Sequence, residues 1–267
     1  MEILSYNIMS GGFNDYDSLS KTPERLDLLV KTIKNINADF VSLVDTHRWT
    51  EIFSKDDLKN IFGYKNVYSV KLEDDRLEAI GRDNGVTVLT RLPVEKFEAV
   101  RLFNRNAIKT TLDGMDIFTT YLDDLNEDTR LRQIDSLLNQ VVLGVPTIIT
   151  GDLNAIDEFD LLKTGKIIDE LFIQHPEASD LGIILRGMMR GEVTRKIREN
   201  GFIDVGKDKG NTFPSKLFPI KIKEPITRFD YGFCTPDIKV ESFEVLKGVE
   251  FDQLSDHFPI KMGVSVK

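Results

Sequence analysis

The apolar residues of this chain fall into short, strand-length runs separated by helical stripes, and none approaches the ~18 residues of a membrane-spanning helix. That patterning constrains the fold more than any other feature. Glu2 to Ile8 reads as a first strand. Thr22-Pro23 then reads as an N-cap followed by proline at the first helical position. Behind it Leu26, Leu29, Val30 and Ile33 repeat at helical spacing. Further strands are expected at Asp39 to Asp45, Gly85 to Thr90, Pro146 to Thr150, Arg228 to Cys234, Val240 to Leu246 and Phe258 to Val266. Ala107 to Leu112 and Met115 to Leu122 form an expected hairpin across Asp113-Gly114, a strong turn pair. Helices are expected over Thr129 to Val142, Leu161 to Phe172 and Ile183 to Arg198. The order is not a clean βαβ alternation, so a simple Rossmann fold is disfavoured and a mixed-sheet α/β (α+β) domain is expected.

No linker, repeat or low-complexity tract divides the 267 residues, and 41% are hydrophobic, so one domain over 1–267 is the expectation. Cys234 is the only cysteine, which rules out a disulfide framework; with only three histidines beside it, a structural zinc site is ruled out as well. The opening strand leaves no room for a signal peptide in the chain as given, so a cytoplasmic protein is expected. The formal charge of −9 argues against indiscriminate binding to nucleic acid or an anionic membrane.

Acidic and amide residues recur at the ends of the apolar strands: Asn7, Asp45, Asp152, Asn154, Asp230 and Asp256. Each alone is an ordinary turn residue. Together they say more, because strand ends are where α/β proteins build sites. Asp152 and Asn154 stand two apart just past a buried strand, and extended chain turns i and i+2 to one face. Asp256-His257 sets a carboxylate beside an acid–base residue, and Asp230 is a third acidic strand residue. Oxygen ligands of this kind suit a hard cation such as magnesium or manganese.

In order, Tyr6-Asn7, Leu43-Val44-Asp45, Gly151-Asp152-Leu153-Asn154, Arg228-Phe229-Asp230-Tyr231 and Ser255-Asp256-His257 resemble the endonuclease/exonuclease/phosphatase superfamily. Gly-Asp-x-Asn alone is weak; five segments in order are strong. Supporting matches are Asn84-Gly85 with Leu89-Thr90-Arg91, Arg130 with Gln133, and Thr212-Phe213-Pro214. The resemblance implies a deoxyribonuclease I-like fold, a four-layer sandwich of two mixed sheets flanked by helices. It implies a phosphoesterase dependent on Mg2+ (or Mn2+). Asp152 would orient or deprotonate the attacking water, and Asn154 would hold the phosphate or metal-bound groups. His257, backed by Asp230, would donate to the phosphate, and Asn7, Asp45 and Asp256 would surround the metal.

Two positions depart from the commonest family pattern. Asp45 stands where glutamate is usual, which moves the ion closer to the strand or interposes water. Tyr121 stands where the family often has histidine; members resembling apurinic/apyrimidinic endonucleases have tyrosine there, whose phenol can still donate to phosphate. Arg130, Arg186, Arg190 and Trp49 complete the expected site as substrate-binding residues. His47 is expected on the rim, His175 in a polar loop, and Asp123, Asp124, Glu127 and Asp128 as decoration of a loop and first helical turn.

Hydrolysis of DNA by an endonuclease or exonuclease is the leading expectation. A phosphatase or phosphodiesterase of a small molecule or lipid head group (inositol phosphate, nucleotide, sphingomyelin-like) is the alternative, and a non-catalytic binding protein the second. Charge is uneven: residues 181–229 hold 11 Lys and Arg against 5 Asp and Glu, a local +6, and the remainder carries −15. A basic lip beside Asp152, with a bound cation, would answer the objection raised by the net charge.

Overall fold

The computed structural model describes residues 1–13, 23–174, 179–218, 220 and 222–267. One sheet is built from β1 (Glu2–Asn7), β2 (Phe40–Val44), β3 (Asn66–Lys71), β4 (Gly85–Thr90), β11 (Ile238–Val245) and β12 (Ile260–Val266), in the order β11-β12-β1-β2-β4-β3. The other is built from β5 (Lys96–Leu102), β6 (Arg105–Leu112), β7 (Met115–Tyr121), β8 (Thr147–Asp152), β9 (Ile203–Asp204) and β10 (Asp230–Cys234), in the order β5-β6-β7-β8-β10-β9. Each sheet is mixed, with one parallel pair apiece: β1 with β2, and β7 with β8. Helices α1 (Pro23–Ile36), α2 (Trp49–Ile52), α3 (Lys55–Phe62) and α4 (Asp75–Ala79) belong to the first half of the chain. Helices α5 (Glu127–Leu138), α6 (Leu161–Gln174), α7 (Ser179–Gly187) and α8 (Glu192–Glu199) belong to the second. Among the described residues no helix is long and apolar enough to cross a membrane.

Strand alternation sorts the side chains into layers. Ile3, Phe40, Val44, Ile117, Ile148 and Cys234 form one apolar layer shared by strands of the two sheets. Leu4, Tyr6, Val41 and Leu43 turn the other way, onto Leu26, Leu29 and Ile33 of α1 and onto α3. Phe118, Ile149, Tyr231 and Phe233 likewise meet Ile134 and Leu137 of α5 and Val193 and Ile197 of α8. Four layers result, helix–sheet–sheet–helix, and the fold is α/β. The same period of two decides where the polar residues go. Asn7 lies four residues from Ile3, Tyr121 from Ile117, Asp152 from Ile148 and Asp230 from Cys234, so all four face the seam between the sheets where its apolar layer ends.

The hairpin forms as its turn chemistry dictates, with Leu112 opposite Met115. One expectation changes. Ile183 to Arg198 is not one helix, because Gly191 adopts φ +69 and a Cβ there would collide with Glu158. The edge strands β3 and β5 and the helix α3 gave little sequence signal: each carries alternating polar or charged residues, as exposed edges and surface helices do. The α3 start is a capping box between Ser54 and Asp57. Thr22, the expected N-cap, and His175 lie outside the described residues.

Three further expectations are corrected. Trp49 has no exposed surface: its ring lies 5.6 Å from that of Phe62 and 5.9 Å from that of Phe53, and Nε1 donates to the Gly11 carbonyl. It has no face to offer a base or sugar. His47 is buried beside Gly11 rather than on the rim. Arg130 is buried too, with Nε donating to Glu127 at 2.9 Å and Nη1 to the Asp123 carbonyl at 2.8 Å. Glu127 and Asp123 are therefore internal partners rather than surface decoration.

Two outcomes follow from this burial. The fluorescence of Trp49 should be blue-shifted, poorly quenched by acrylamide, and unmoved by DNA or phosphate esters; a ligand-dependent spectral change would show that the ring meets substrate. Arg130→Met should lower stability by about 3–5 kcal/mol in urea unfolding, because it strands the buried Glu127 carboxylate. A loss in turnover without that loss of stability would place Arg130 at the substrate instead.

Candidate active site

The second sheet delivers Asp152 at the end of β8, and two neighbours fix its carboxylate. Asn7 Nδ2 donates to Oδ2 at 2.9 Å, from the first sheet. The Asn154 backbone N–H donates to Oδ1 at 2.8 Å. Asn154 can do so because the chain turns there at φ +48, a left-handed conformation that asparagine tolerates. Its side-chain amide donates to the Leu122 carbonyl at 3.0 Å. Tyr121 stands opposite Asp152 in the β7–β8 register. Asp230 stands opposite it on the other side, in β10. The Thr212 hydroxyl accepts the backbone N–H groups of Phe229 and Asp230, at 3.1 and 3.2 Å.

His257 arrives on the turn before β12. The Ser255 hydroxyl donates to the Asn7 carbonyl at 2.6 Å and accepts the His257 N–H at 3.2 Å. The Arg25 guanidinium donates to the carbonyls of Ile8, Met9 and Leu254, tying this turn to the segment after β1. The imidazole then bonds Asp230 Oδ2 through Nδ1 at 2.8 Å and places Nε2 3.9 Å from Asp152 Oδ2. Phe213 lies against the ring, 5.0 Å between centroids.

Burial and charge set the protonation states. Burial works against a charged imidazole, but Asp230 and Asp152 outweigh it and hold His257 up at about 10. Burial raises the Asp152 carboxyl; the charge on His257 opposes this and Asp230 reinforces it, leaving Asp152 at about 7. The pair is thus an imidazolium between two carboxylates, one of which takes up a proton near neutrality.

The first-sheet side supplies oxygen donors. Asp45 follows β2 at φ +58, is buried, and accepts the Ser10 N–H at 2.8 Å through Oδ2. Asn7 Oδ1 accepts the Met9 N–H at 3.0 Å, and Asp256 is half-buried beside His257. A buried aspartate with amide and carboxylate oxygens at neighbouring strand ends fits a hard divalent cation. Asp152, Asp230 and His257 also have ligand atoms within 4.8 Å of one another. Within that trio the imidazole is hydrogen-bonded to Asp230 through Nδ1, and in its charged form it offers no lone pair to a metal.

Seven expected residues therefore converge: Asn7, Tyr121, Asp152, Asn154, Asp230, Asp256 and His257, with Asp45 on the adjoining strand end. Arg186 and Arg190 do not join them. Arg186 pairs with Asp169 at 2.5 Å, and Arg190 with Asp128 at 2.6 Å and with Glu192. Arg195, Lys196 and Arg198 are paired with acidic residues as well. The local excess of +6 counted along the sequence is answered in space by acids from elsewhere. Arg25, Asp74 and Arg105 went unnoticed in the sequence, because they act through partners far along the chain; Ser255 stood in a quoted motif, but its bond to the Asn7 carbonyl was not read from it.

The family model described as Endonuclease/Exonuclease/phosphatase family matches residues 4–257. Among solved structures, an endonuclease/exonuclease/phosphatase from Beutenbergia cavernae is 18% identical with a TM-score of 0.71, covering 100% of this chain and 71% of that one. An AP endonuclease from Archaeoglobus fulgidus is 17% identical with a TM-score of 0.69, covering 100% of both chains. A mannosyl-6-phosphatase from Bacteroides thetaiotaomicron is 14% identical with a TM-score of 0.63, covering 99% of both. At these identities the structures speak for the fold, and no curated protein matches the sequence. With the family model spanning nearly its whole length, the chain belongs to the endonuclease/exonuclease/phosphatase family.

Proposed function

We propose that this protein hydrolyses phosphate esters with the help of a magnesium or manganese ion. One observation carries the reading: a buried Asp152 carboxylate, fixed by Asn7 and Asn154, faces an imidazole that Asp230 keeps charged. Asp152, titrating near neutrality, accepts the proton of the attacking water as its oxygen bonds to phosphorus and the ester oxygen departs. His257 Nε2–H donates to a phosphoryl oxygen, and the second amide hydrogen of Asn154 and the Tyr121 phenol supply further donors. A cation held by Asn7, Asp45 and Asp256 would add Lewis-acid neutralisation of phosphoryl charge.

For the substrate, hydrolysis of DNA remains the leading reading, supported by Tyr121 and by likeness to the Archaeoglobus AP endonuclease. A compact phosphate ester is the second reading, favoured by a specific observation: the cations of the 186–198 segment are already ion-paired, so fewer are offered to a run of backbone phosphates.

The test is hydrolysis of plasmid, abasic-site duplex, bis-p-nitrophenyl phosphate and a sugar phosphate, with magnesium, with manganese, and with EDTA. Activity should vanish in EDTA and return with either metal. Asp152→Asn should lose about 10²–10⁴-fold in kcat, as expected for a positioned general base. An Asp152→Asn protein as active as wild type would remove the catalytic assignment, and cleavage of the small esters alone would remove the nuclease reading.

Protonation gives a separate readout in EDTA. His257 is raised from about 6.5 when unfolded to about 10, so it stabilises the fold below that unfolded value and the benefit is lost as pH climbs towards 10. Asp152 is raised from its unfolded value near 4 to about 7, so stability is also lost as pH rises across that interval. The thermal midpoint should fall from pH 5 to pH 9, and His257→Gln should flatten the upper half of that fall. A midpoint that rises with pH in wild type would contradict the charged imidazole.

A further inference from the structure

Arg105 lies outside every sequence motif, yet its side chain is 1% exposed and each arm of its fork is spoken for. Nε donates to Asp74 Oδ2 at 2.7 Å, Nη2 to Asp124 Oδ1 at 3.0 Å and Nη1 to the Leu122 carbonyl at 2.5 Å. Asp74 precedes α4 in the connection between two strands of the first sheet, whereas Leu122 and Asp124 follow β7 in the second. Arg105 therefore bolts the two sheets together beside the site. Arg76, which also pairs with Asp124, closes the outer side of the bolt.

The Leu122 carbonyl is the informative partner, because it accepts two donors. Arg105 Nη1 reaches it from one side and Asn154 Nδ2 from the other, at 3.0 Å. The Leu122 N–H meanwhile donates to the Asp152 carbonyl at 3.0 Å. The guanidinium also sits over the Tyr121 ring, 5.3 Å from its centroid. A planar fork with fixed donor directions does what a lysine cannot: it holds a carboxylate, a carbonyl and a second carboxylate at set angles at once.

We infer that Arg105 is a positioning residue, which fixes the Leu122 carbonyl and thereby the orientation of the Asn154 amide and the Tyr121 ring, without touching substrate. The inference rests on the phosphoesterase reading for its kinetic consequence and on geometry alone for its structural one. A misaligned amide would meet the transition state poorly while leaving ground-state binding nearly unchanged.

The experiment compares Arg105→Lys, Asn154→Ala and the double variant, with kcat and KM on whichever ester wild type hydrolyses. The side-chain amide signals of Asn154, identified by their loss in Asn154→Ala, are recorded by 15N NMR. Arg105→Lys should lower kcat by roughly 10–100-fold, the usual cost of losing a supporting contact, with KM within about twofold. It should cost clearly less in the Asn154→Ala background, where only its support of the Tyr121 ring remains to be lost. The Asn154 amide signals should shift in Arg105→Lys. Signals that stay put, or a kcat loss of equal size in both backgrounds, would overturn the inference. Should Arg105→Lys fail to fold, Asp124→Asn frees only Nη2 and should move the same signals by less; unmoved signals there overturn it too. If wild type hydrolyses no ester, the phosphoesterase reading fails by itself, and the amide shift still decides the role of Arg105.

Discussion

One side-chain hydrogen bond, Asn7 Nδ2 to Asp152 Oδ2, ties a strand end of the first sheet to a strand end of the second, and the candidate site is arranged around it. It is possible only because both residues face the seam where the apolar layer runs out. One step of register in either strand would turn one of them onto a helix-covered face. The same contact links the two sides of the site, oxygen donors on the first sheet and the acid–base pair on the second. Ser255 reinforces it by bonding the Asn7 carbonyl, so that the turn carrying His257 is indexed to the same residue. Position, rather than residue type, makes Asp152 unusual: burial beside a charged imidazole and a second carboxylate raises it well above an ordinary aspartate.

The sequence was legible wherever chemistry and periodicity coincide. Strand ends marked by Asn7, Asp152, Asn154 and Asp230 were found because an apolar run of period two ends in a polar residue, and the layers follow from that period. It was silent where a residue acts through a partner far away. Nothing near Arg105 in the chain points to Asp74 or Leu122, and nothing near Arg25 points to Leu254. Edge strands were missed for the opposite reason: β3 and β5 need few apolar residues, so the signal that betrays a central strand is absent. Trp49 shows a third kind of failure. An aromatic residue just past a site-bearing strand is compatible with stacking on a base, and only the packing of Phe53 and Phe62 around it excludes that use.

Charge counting failed in an instructive way. Residues 181–229 are basic as a segment, but a segment is not a surface. Asp128, Asp135 and Asp157, all earlier in the chain, come to rest against Arg190, Lys196 and Arg198. The pairs of Arg190 with Asp128 and Lys196 with Asp135 face solvent and add little stability, because water screens them and long side chains lose freedom in making them. Their effect is on recognition. A guanidinium already facing a carboxylate must give up that partner before it neutralises a phosphate, so the same arginine contributes less to binding a polyanion than its charge suggests. The basic count of this segment therefore overstates the positive surface it presents.

The arginines divide along this line. Arg25, Arg105, Arg130 and Arg228 are buried, and the partners of each lie on more than one loop or element: three carbonyls for Arg25, Asp74 with Leu122 and Asp124 for Arg105, Glu127 with Asp123 for Arg130, Asp204 for Arg228. Arg228 forms a bidentate pair with Asp204 of β9 and also lies 3.6 Å from Asp157, in the loop after β8. A mouth built from loops needs this, because loops lack the ladder of backbone bonds that fixes a strand. A lysine ammonium could neutralise the same carboxylates but could not set the angle between them. Arginine near a phosphate-handling site therefore carries two opposite meanings, a hand offered to substrate or a bolt holding the loops. Burial with a saturated fork distinguishes the second from the first. By that criterion the four buried arginines hold loops in place, and the geometry of the candidate site is a property of those bolted loops as much as of the carboxylates they present.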